Sequence, residues 1–224
     1  MTEVKRSYDA SGRRAQARAR RLAVVLAARD LFERDGYRPT TIAAIAAQAG
    51  LSAESIYKGF GTKAALAKAV FDLALAGDDE PVPVAERPSM QVMRDETDVR
   101  RKIAMFAAGL AQRQARSAPV QILIRDGRHV DDSLDPIWEK MHDEGLAGMT
   151  ALGRHLLQTG QLRDGIDLGE VRDVLWNYLA IDHYERLVLS QGWTLERYTR
   201  WLAGAITSAL CRGAGSRDEP GGGR

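Results

Sequence analysis

Apolar residues recur at every third or fourth position along most of the chain, and no run of strict alternation bounded by turn residues stands out. This pattern predicts an all-α protein. The first helix is expected over residues 14–34, where Leu22, Val25 and Phe32 share one face and Gly36 supplies a stop signal.

Three shorter helices are predicted next, each preceded by a hydroxyl side chain that can accept a hydrogen bond from the first turn. Thr40 or Thr41 is expected to cap a helix that stops at Gly50. Ser52 is expected to cap a third helix and Thr62 a fourth. Such a series of short, individually capped helices is typical of a small helical domain.

The composition changes after residue 76 and divides the chain. Residues 77–95 are rich in proline and acidic side chains, which disfavour a helix, so we interpret them as a linker. Helices are then expected over 99–116, from Pro119 onward, from Asp135 to Gly160, from Asp167 to about Gln191 and from Leu195 to Arg212. The predicted units are therefore a domain over 1–76, the linker, a second domain over 96–212 and a disordered tail over 213–224.

The charge is divided in the same way. The 224-residue chain has a formal net charge of +2, yet residues 1–76 hold 13 Lys and Arg against 7 Asp and Glu. This excess of positive charge points to an anionic partner, either a nucleic acid or a membrane surface. No apolar run is long enough for a membrane span or a secretory signal, and the single Cys211 excludes a disulfide framework. These features predict a cytoplasmic protein.

The stretch between Thr40 and Lys63 has the spacing of a helix-turn-helix. Ala46 is small enough for two short helices to cross closely, Gly50 can adopt a positive φ between them, and Ile56 anchors the second helix. Taken alone, these positions also suit an αα-hairpin packed in a core. A basic arm upstream could follow phosphates or remain a solvated face; it consists of Arg13, Arg14, Arg18, Arg20 and Arg21.

The order and spacing of residues in this stretch agree with one known family. They are Tyr37-Arg38-Pro39-Thr40-Thr41-Ile42, Ile45-Ala46, Gly50-Leu51-Ser52, and Ile56-Tyr57-Lys58-Gly59-Phe60-Gly61-Thr62-Lys63 followed by Leu66. With its flanking helices, this region over residues 14–75 resembles the DNA-binding domain of the TetR family of transcriptional repressors.

The resemblance implies an N-terminal three-helix DNA-binding head and a C-terminal helical domain for ligand binding and dimerisation. By position, the implied DNA-binding residues are Thr41, Ser52, Ala53, Ser55, Tyr57, Lys58 and Lys63, with Arg14 and Arg18 on the basic arm. Tyr57 and Lys63 would clamp phosphates. Gly59 departs from the family, because many members have a larger polar residue there. Glu54 either accepts from a cytosine amino group or points away from DNA, and we favour the second.

The segment 168–191 is apolar on more than one face, and the final helix presents an apolar stripe with small residues for close approach. Together they favour a partner chain, although a monomeric core would explain either stripe alone. The predicted dimer interface comprises Leu175, Leu179, Tyr198, Trp201, Leu202, Ala205 and Ile206. The predicted effector pocket is lined by Met105, Phe106, Ile122, Trp138, Met141, His142 and Tyr178. Ordinary core packing is the alternative explanation for each pocket residue.

The sequence and its resemblance to the TetR family therefore imply a DNA-binding transcriptional regulator at the nucleoid, a repressor that binds a near-palindromic operator as a homodimer and is released by a small molecule. We expect no catalysis, cofactor, metal or membrane partner. An enzyme is the main alternative: Glu139 and His142 match half of a di-iron motif, with Asp126 and His129 as a near-partner. A third possibility is a basic helix that binds a membrane or another protein.

Overall fold

A computed structural model describes residues 10–78 and 88–212, and within them the regular structure is helical, with no β-strand. The helices are α1 Ala10–Asp35, α2 Ile42–Ala49, α3 Ala53–Phe60, α4 Lys63–Ala76, α5 Pro88–Asp95, α6 Val99–Gly127, α7 Asp135–Gln158, α8 Leu168–Leu179, α9 Ile181–Tyr184 and α10 Leu195–Leu210. The all-α prediction is confirmed. The predicted tail, 213–224, and residues 79–87 of the predicted linker lie outside the described residues.

The short N-terminal helices begin at the hydroxyl caps that the sequence predicts. Thr41 Oγ1 accepts from the Ala44 backbone N–H at 3.1 Å, and Thr62 Oγ1 accepts from that of Ala65 at 3.0 Å. Gly50 ends α2 in the left-handed conformation, with φ 67°. Each cap satisfies a backbone group that the helix itself leaves unpaired, so local chemistry alone sets these boundaries.

Two boundaries beyond residue 76 differ from the prediction. Residues 88–95 of the predicted linker form α5, because Pro88 stands at the helix start, where its missing N–H is not needed. Pro119 does not begin a helix; it lies inside α6. Its ring removes one backbone hydrogen bond, but Ala118 and Val120 on either side are buried, so packing keeps the helix continuous.

The helix predicted from Asp167 to Gln191 is interrupted at Ala180. This residue is extended, with ψ 131°, and separates α8 from α9, after which Glu185–Ser190 form a π-helical turn. The Gln114 side chain on α6 donates from Nε2 to the carbonyls of Leu179, at 3.2 Å, and Ala180, at 3.4 Å. A distant side chain thus satisfies the carbonyls that the interruption frees, which no local pattern could show.

The described residues pack into two apolar clusters. One lies within the second unit, between α6, α7, α8 and α10. The other fills the N-terminal helices and continues without a break into the second unit through Val120, Ile124, Leu134 and Met141. The composition change near residue 76 is therefore not a boundary in packing. The head formed by α1–α4 rests on α6 and α7 and shares their core.

Candidate nucleic-acid interface and ligand cavity

The helix-turn-helix of the head consists of α2 and α3, and its three predicted key positions are in place. Ala46 and Ile56 are buried, with exposed fractions of 4% and 1%. The Leu51 backbone N–H donates to the Ala46 carbonyl at 2.9 Å, just after the left-handed Gly50, and closes the turn. The αα-hairpin and the DNA-binding interpretation share this geometry, so the outer face of α3 must distinguish them.

That outer face presents short polar, aromatic and basic groups to solvent. Ser52 Oγ caps α3 through the Ser55 backbone N–H at 3.2 Å and lies 2.8 Å from Ser55 Oγ. Tyr57 is 54% exposed, which is unusual for so large an apolar ring in a core hairpin, and Lys58 is exposed next to it. Small hydroxyls flanked by a phenol and an ammonium can approach a groove floor and its phosphates.

The remaining positions of α3 do not all face outward. Ala53 is half-buried against the head core, one helical turn from Ile56, and its place at the groove stays a prediction. Glu54 is exposed. Gly59 is exposed too, and a Cβ built on it would meet no atom within 4 Å, so the position has room for a longer side chain.

Lys63 does not project as a free phosphate clamp. Its ammonium donates to the carbonyls of Tyr37, at 3.0 Å, and Thr40, at 3.3 Å, and lies 4.0 Å from the centre of the Tyr37 ring. Burial lowers the pKa of Lys63. These contacts hold the loop before α2, and thereby the cap Thr41, against the start of α4. The structure gives Lys63 a bracing role that the sequence did not reveal.

The basic arm belongs to α1, which starts at Ala10 and reaches further toward the N-terminus than predicted. Arg14 and Arg18 are exposed on it. Arg21 lies 4.3 Å from the centre of the Phe60 ring and donates to the Gly59 carbonyl at 3.4 Å. The basic half of α1 is therefore attached to the C-terminal end of α3, which places its charges beside the outer face of that helix.

A second site is a cavity of about 780 Å³ between α4, α5, α6, α7 and α8, within the roughly 300–1,000 Å³ typical of ligand sites. Four predicted pocket residues line it, namely Phe106, Trp138, Met141 and His142. Met105 and Ile122 do not; they lie off the α6 stripe that faces the cavity and pack on the core of the second unit. Tyr178 is also a wrong assignment, because its ring packs on Trp201 of α10.

The cavity contains polar groups that sequence reasoning missed. Arg113, Gln114 and Ser117 line it from α6. An arginine three residues from Arg116 is most simply a surface residue, and no periodicity marks it as internal. Arg113 is recognised as internal only because it lies on the same face of α6 as Phe106 and Leu110. That face could be assigned only once α6 was known to be one continuous helix.

The predicted dimer interface is only partly at the surface. Leu175, Tyr198, Leu202 and Ile206 are each fully buried inside the chain's own core, and Leu179 lines the cavity; these five assignments are wrong. Trp201 and Ala205 remain half-buried on α10. The Trp201 ring meets that of Tyr178 edge-on, with centroids 5.9 Å apart. Tyr178, Trp201 and Ala205 thus form an apolar face on α8 and α10, hereafter the α8–α10 face.

Two other classes of site find no support in the described residues. No group of three or more His, Cys, Asp or Glu side chains there could hold a metal ion, so the half-motif of Glu139 and His142 has no partner among them. None of the helices in the ranges 10–78 and 88–212 has the length and apolarity to cross a membrane.

Residues 24–70 match the family described as bacterial regulatory proteins, tetR family. None of the curated proteins matches the sequence significantly. The fold is similar to that of a TetR-family regulator from Syntrophomonas wolfei (15% identity, 87% of this chain and 96% of that chain, TM-score 0.69). It is also similar to FadR from Bacillus subtilis in complex with stearoyl-CoA (17%, 84% and 98%, 0.66) and to a regulator from Saccharomonospora viridis in complex with choline (16%, 88% and 99%, 0.58). At such identities the likeness shows the fold alone.

Proposed function

We infer that this chain, a TetR-family regulator by its helix-turn-helix head and its fold, is a ligand-responsive repressor that binds a near-palindromic operator as a homodimer. The family match is to transcriptional regulators and not to enzymes. We place its action in the cytoplasm, at the nucleoid. A small molecule in the cavity releases the operator.

The observation that carries the DNA-binding part is the outer face of α3. Ile56 holds this helix to the head from one side, while Ser52, Ser55 and Lys58 stay exposed on the other. A buried αα-hairpin would have no reason to keep a solvent face of this composition. The arginines of α1, attached beside it through Arg21, supply the positive charge that phosphate binding needs.

Homodimerisation is supported by the α8–α10 face. Tyr178 and Trp201 present aromatic surface without full burial in the protomer, and Gly204 beside Ala205 leaves open space for a close helix approach. A twofold axis through this face would pair α8 and α10 with their copies in a four-helix arrangement. The two α3 helices would then meet successive major grooves about 34–36 Å apart, on one side of the duplex.

Release by a ligand is supported by the position of the cavity. Phe71 and Leu75 of α4, the last helix of the head, form part of its wall. Lys68 on the same helix bonds Glu144 of α7 at 2.9 Å, and Arg116 of α6 donates to the Ala74 carbonyl at 3.1 Å. A ligand that binds more tightly to one placement of α4 than to another would shift the head from the state that binds the operator to the state that releases it. The fold accommodates ligands as different as stearoyl-CoA and choline in its relatives.

Selection of bound duplexes from a random pool tests the proposal directly. Inverted repeats with half-site centres about one helical turn apart should be enriched, and their affinity should fall with added salt. Lys58→Ala should weaken binding and lower the log–log salt slope by about 0.9 for each phosphate that the protein no longer neutralises. Lys140→Ala, which removes another exposed lysine, from α7, is the matched control and should change neither. Enrichment of no inverted repeat would overturn the proposal.

A further inference from the structure

We propose that the effector is an amphipathic organic acid, a carboxylate on an apolar body, whose acid group is bound by Arg113 inside the cavity. The inference rests on the proposed function in one respect only: that occupancy of this cavity is the regulatory signal. The chemical class of the ligand follows from the cavity itself.

Arg113 is the group that points to an anion. Its side chain lines the cavity and is only partly accessible to solvent. Among the described residues, its guanidinium has no hydrogen-bond or ion-pair partner. Burial lowers the pKa of Arg113 to about 10, and the neighbouring Arg116 adds to this. A guanidinium that is taken out of water without a carboxylate partner costs free energy, so it is retained at sites where a ligand supplies that partner.

The backbone beside Arg113 makes room for it. A Cβ on Gly109, one helical turn earlier, would lie 2.9 Å from Nη1 of Arg113, closer than ordinary contact allows. Glycine inside a helix is unfavourable relative to alanine, because it loses more backbone freedom on folding. Gly109 nevertheless stands inside α6, and the guanidinium of Arg113 lies where a side chain at this position would be.

The acidic side chains of the cavity lining are already paired, and Arg94, the other arginine of the lining, donates to the Gln91 side chain at 3.4 Å. Glu144 is bonded by Lys68 at 2.9 Å, and Asp182 by Arg125 at 3.2 Å, both from outside the cavity. Arg128 lies 5.5 Å from the centre of the Trp138 ring, so the aromatic wall already has a cation against it. A cationic ligand would therefore find the acids already paired and would be repelled by Arg113, whereas an anion could pair with Arg113.

The rest of the lining fixes the second half of the ligand class. Most of the lining is apolar and includes Met90, Met93, Phe106, Met149 and Leu152. Arg113 lies midway along the α6 stripe, followed by Ser117 at the next turn. A ligand suited to this lining would have an apolar body against the methionines and an acid group at Arg113.

Three probes with the same ten-carbon chain test the class: decanoate, decanol and decyltrimethylammonium, titrated into the full chain. Trp138 and Trp176 line the cavity, so tryptophan fluorescence reports occupancy. Decanoate should bind at least tenfold more tightly than either other probe, because a charge-assisted hydrogen bond to a buried group contributes about 1.5–3 kcal/mol, or roughly tenfold to a hundredfold. Equal or tighter binding of decanol or of the ammonium would overturn the proposal.

Variants locate the site. Arg113→Met should reduce decanoate affinity at least tenfold and change decanol affinity less than twofold, while thermal stability is kept or raised because an unpaired buried charge is removed. Gly109→Ala should weaken decanoate binding by displacing the guanidinium. Arg101→Met, an exposed arginine of the same helix, is the matched control and should leave binding unchanged. Undiminished decanoate affinity in Arg113→Met would refute the assignment.

Operator binding separates this inference from the proposed function. If the chain selects inverted repeats but decanoate does not bind, the regulator stands and the ligand class is wrong. If decanoate binds through Arg113 and no duplex is selected, the acid site stands and the function is wrong. If both hold, decanoate should release the operator from the wild type and not from Arg113→Met.

Discussion

The side chain of Gln114 provides the sharpest test of the packing around the cavity. It is buried, it bonds the two carbonyls at the break between α8 and α9, and its Oε1 accepts from the Tyr198 hydroxyl at 3.0 Å. Tyr198 itself is fully buried, and this burial raises the pKa of its phenol well above the ordinary range. One amide therefore joins three helices, and leucine, of similar size, would leave all of its partners without a bond.

The expected loss follows from what each partner can do instead. The Tyr198 hydroxyl has no access to water, so Gln114→Leu leaves it unsatisfied at about 1–3 kcal/mol. Leu179 and Ala180 are half-buried residues of the cavity wall. We therefore assign the loss of each of their carbonyl hydrogen bonds about 0.5 kcal/mol, the low end for a neutral hydrogen bond. The sum is about 2–4 kcal/mol. Tyr198→Phe, which leaves only Oε1 of Gln114 without a hydrogen bond, should lower the free energy of unfolding by about 1–2 kcal/mol.

Urea unfolding at one fixed protein concentration measures these values, because dimerisation would otherwise shift the apparent stability. In the double variant Gln114→Leu with Tyr198→Phe the shared hydrogen bond is counted once. The double variant should therefore lose at least about 1 kcal/mol less unfolding free energy than the sum of the losses in the two single variants. Additivity within about 0.3 kcal/mol would show that the two groups are not coupled and would refute the hydrogen bond between Gln114 and Tyr198.

Three further predictions concern the surfaces. Gly59→Lys should tighten operator binding and steepen its log–log salt slope by about 0.9, as measured by titration at several salt concentrations, since the position is exposed and open; a slope equal to the wild type would exclude a phosphate near it. Trp201→Glu should yield monomers in sedimentation while the helical content is kept; an intact dimer would move the interface away from the α8–α10 face. The pKa of Lys68 is lowered by burial but raised on balance by Asp72 and Glu144. Lys68→Met should therefore reduce stability by about 1 kcal/mol at neutral pH, and the difference should shrink as pH rises above the ordinary lysine value of about 10.4, where the wild type loses the same contacts; a pH-independent difference would contradict the ion pairs.

The head could be predicted from sequence because its boundaries depend on local chemistry. Thr41, Ser52 and Thr62 cap their helices through side chains three residues from the groups they satisfy, and Gly50 needs no distant partner to turn the chain. The second unit was harder for the opposite reason. Its helix break at Ala180 is held by Gln114, 66 residues away, and no window of sequence contains both ends of that contact.

The site residues follow the same division. Ser52, Ser55 and Tyr57 were placed correctly on an exposed face because α3 has one clear apolar stripe. The dimer assignments failed because α8 and α10 are apolar on two faces, and sequence periodicity cannot tell which face meets the chain's own core. Leu175 and Leu202 proved to be internal, whereas Trp201 on the other face did not. Arg113 was missed because a charged residue on a helix is usually solvated, and only the three-dimensional position of α6 places it inside.

The shared core explains how an acid bound at Arg113 would reach the DNA-binding surface. The cavity wall and the head have α4 in common: Phe71 faces the cavity, whereas Leu66 on the same helix is fully buried in the head. Because such cores are close-packed, α4 cannot shift at its cavity end without carrying the rest of the head with it. In the proposed dimer, a rotation of α4 against α6 would change the spacing of the two heads. Each tenfold difference in ligand affinity between the two placements supplies about 1.4 kcal/mol toward that rotation.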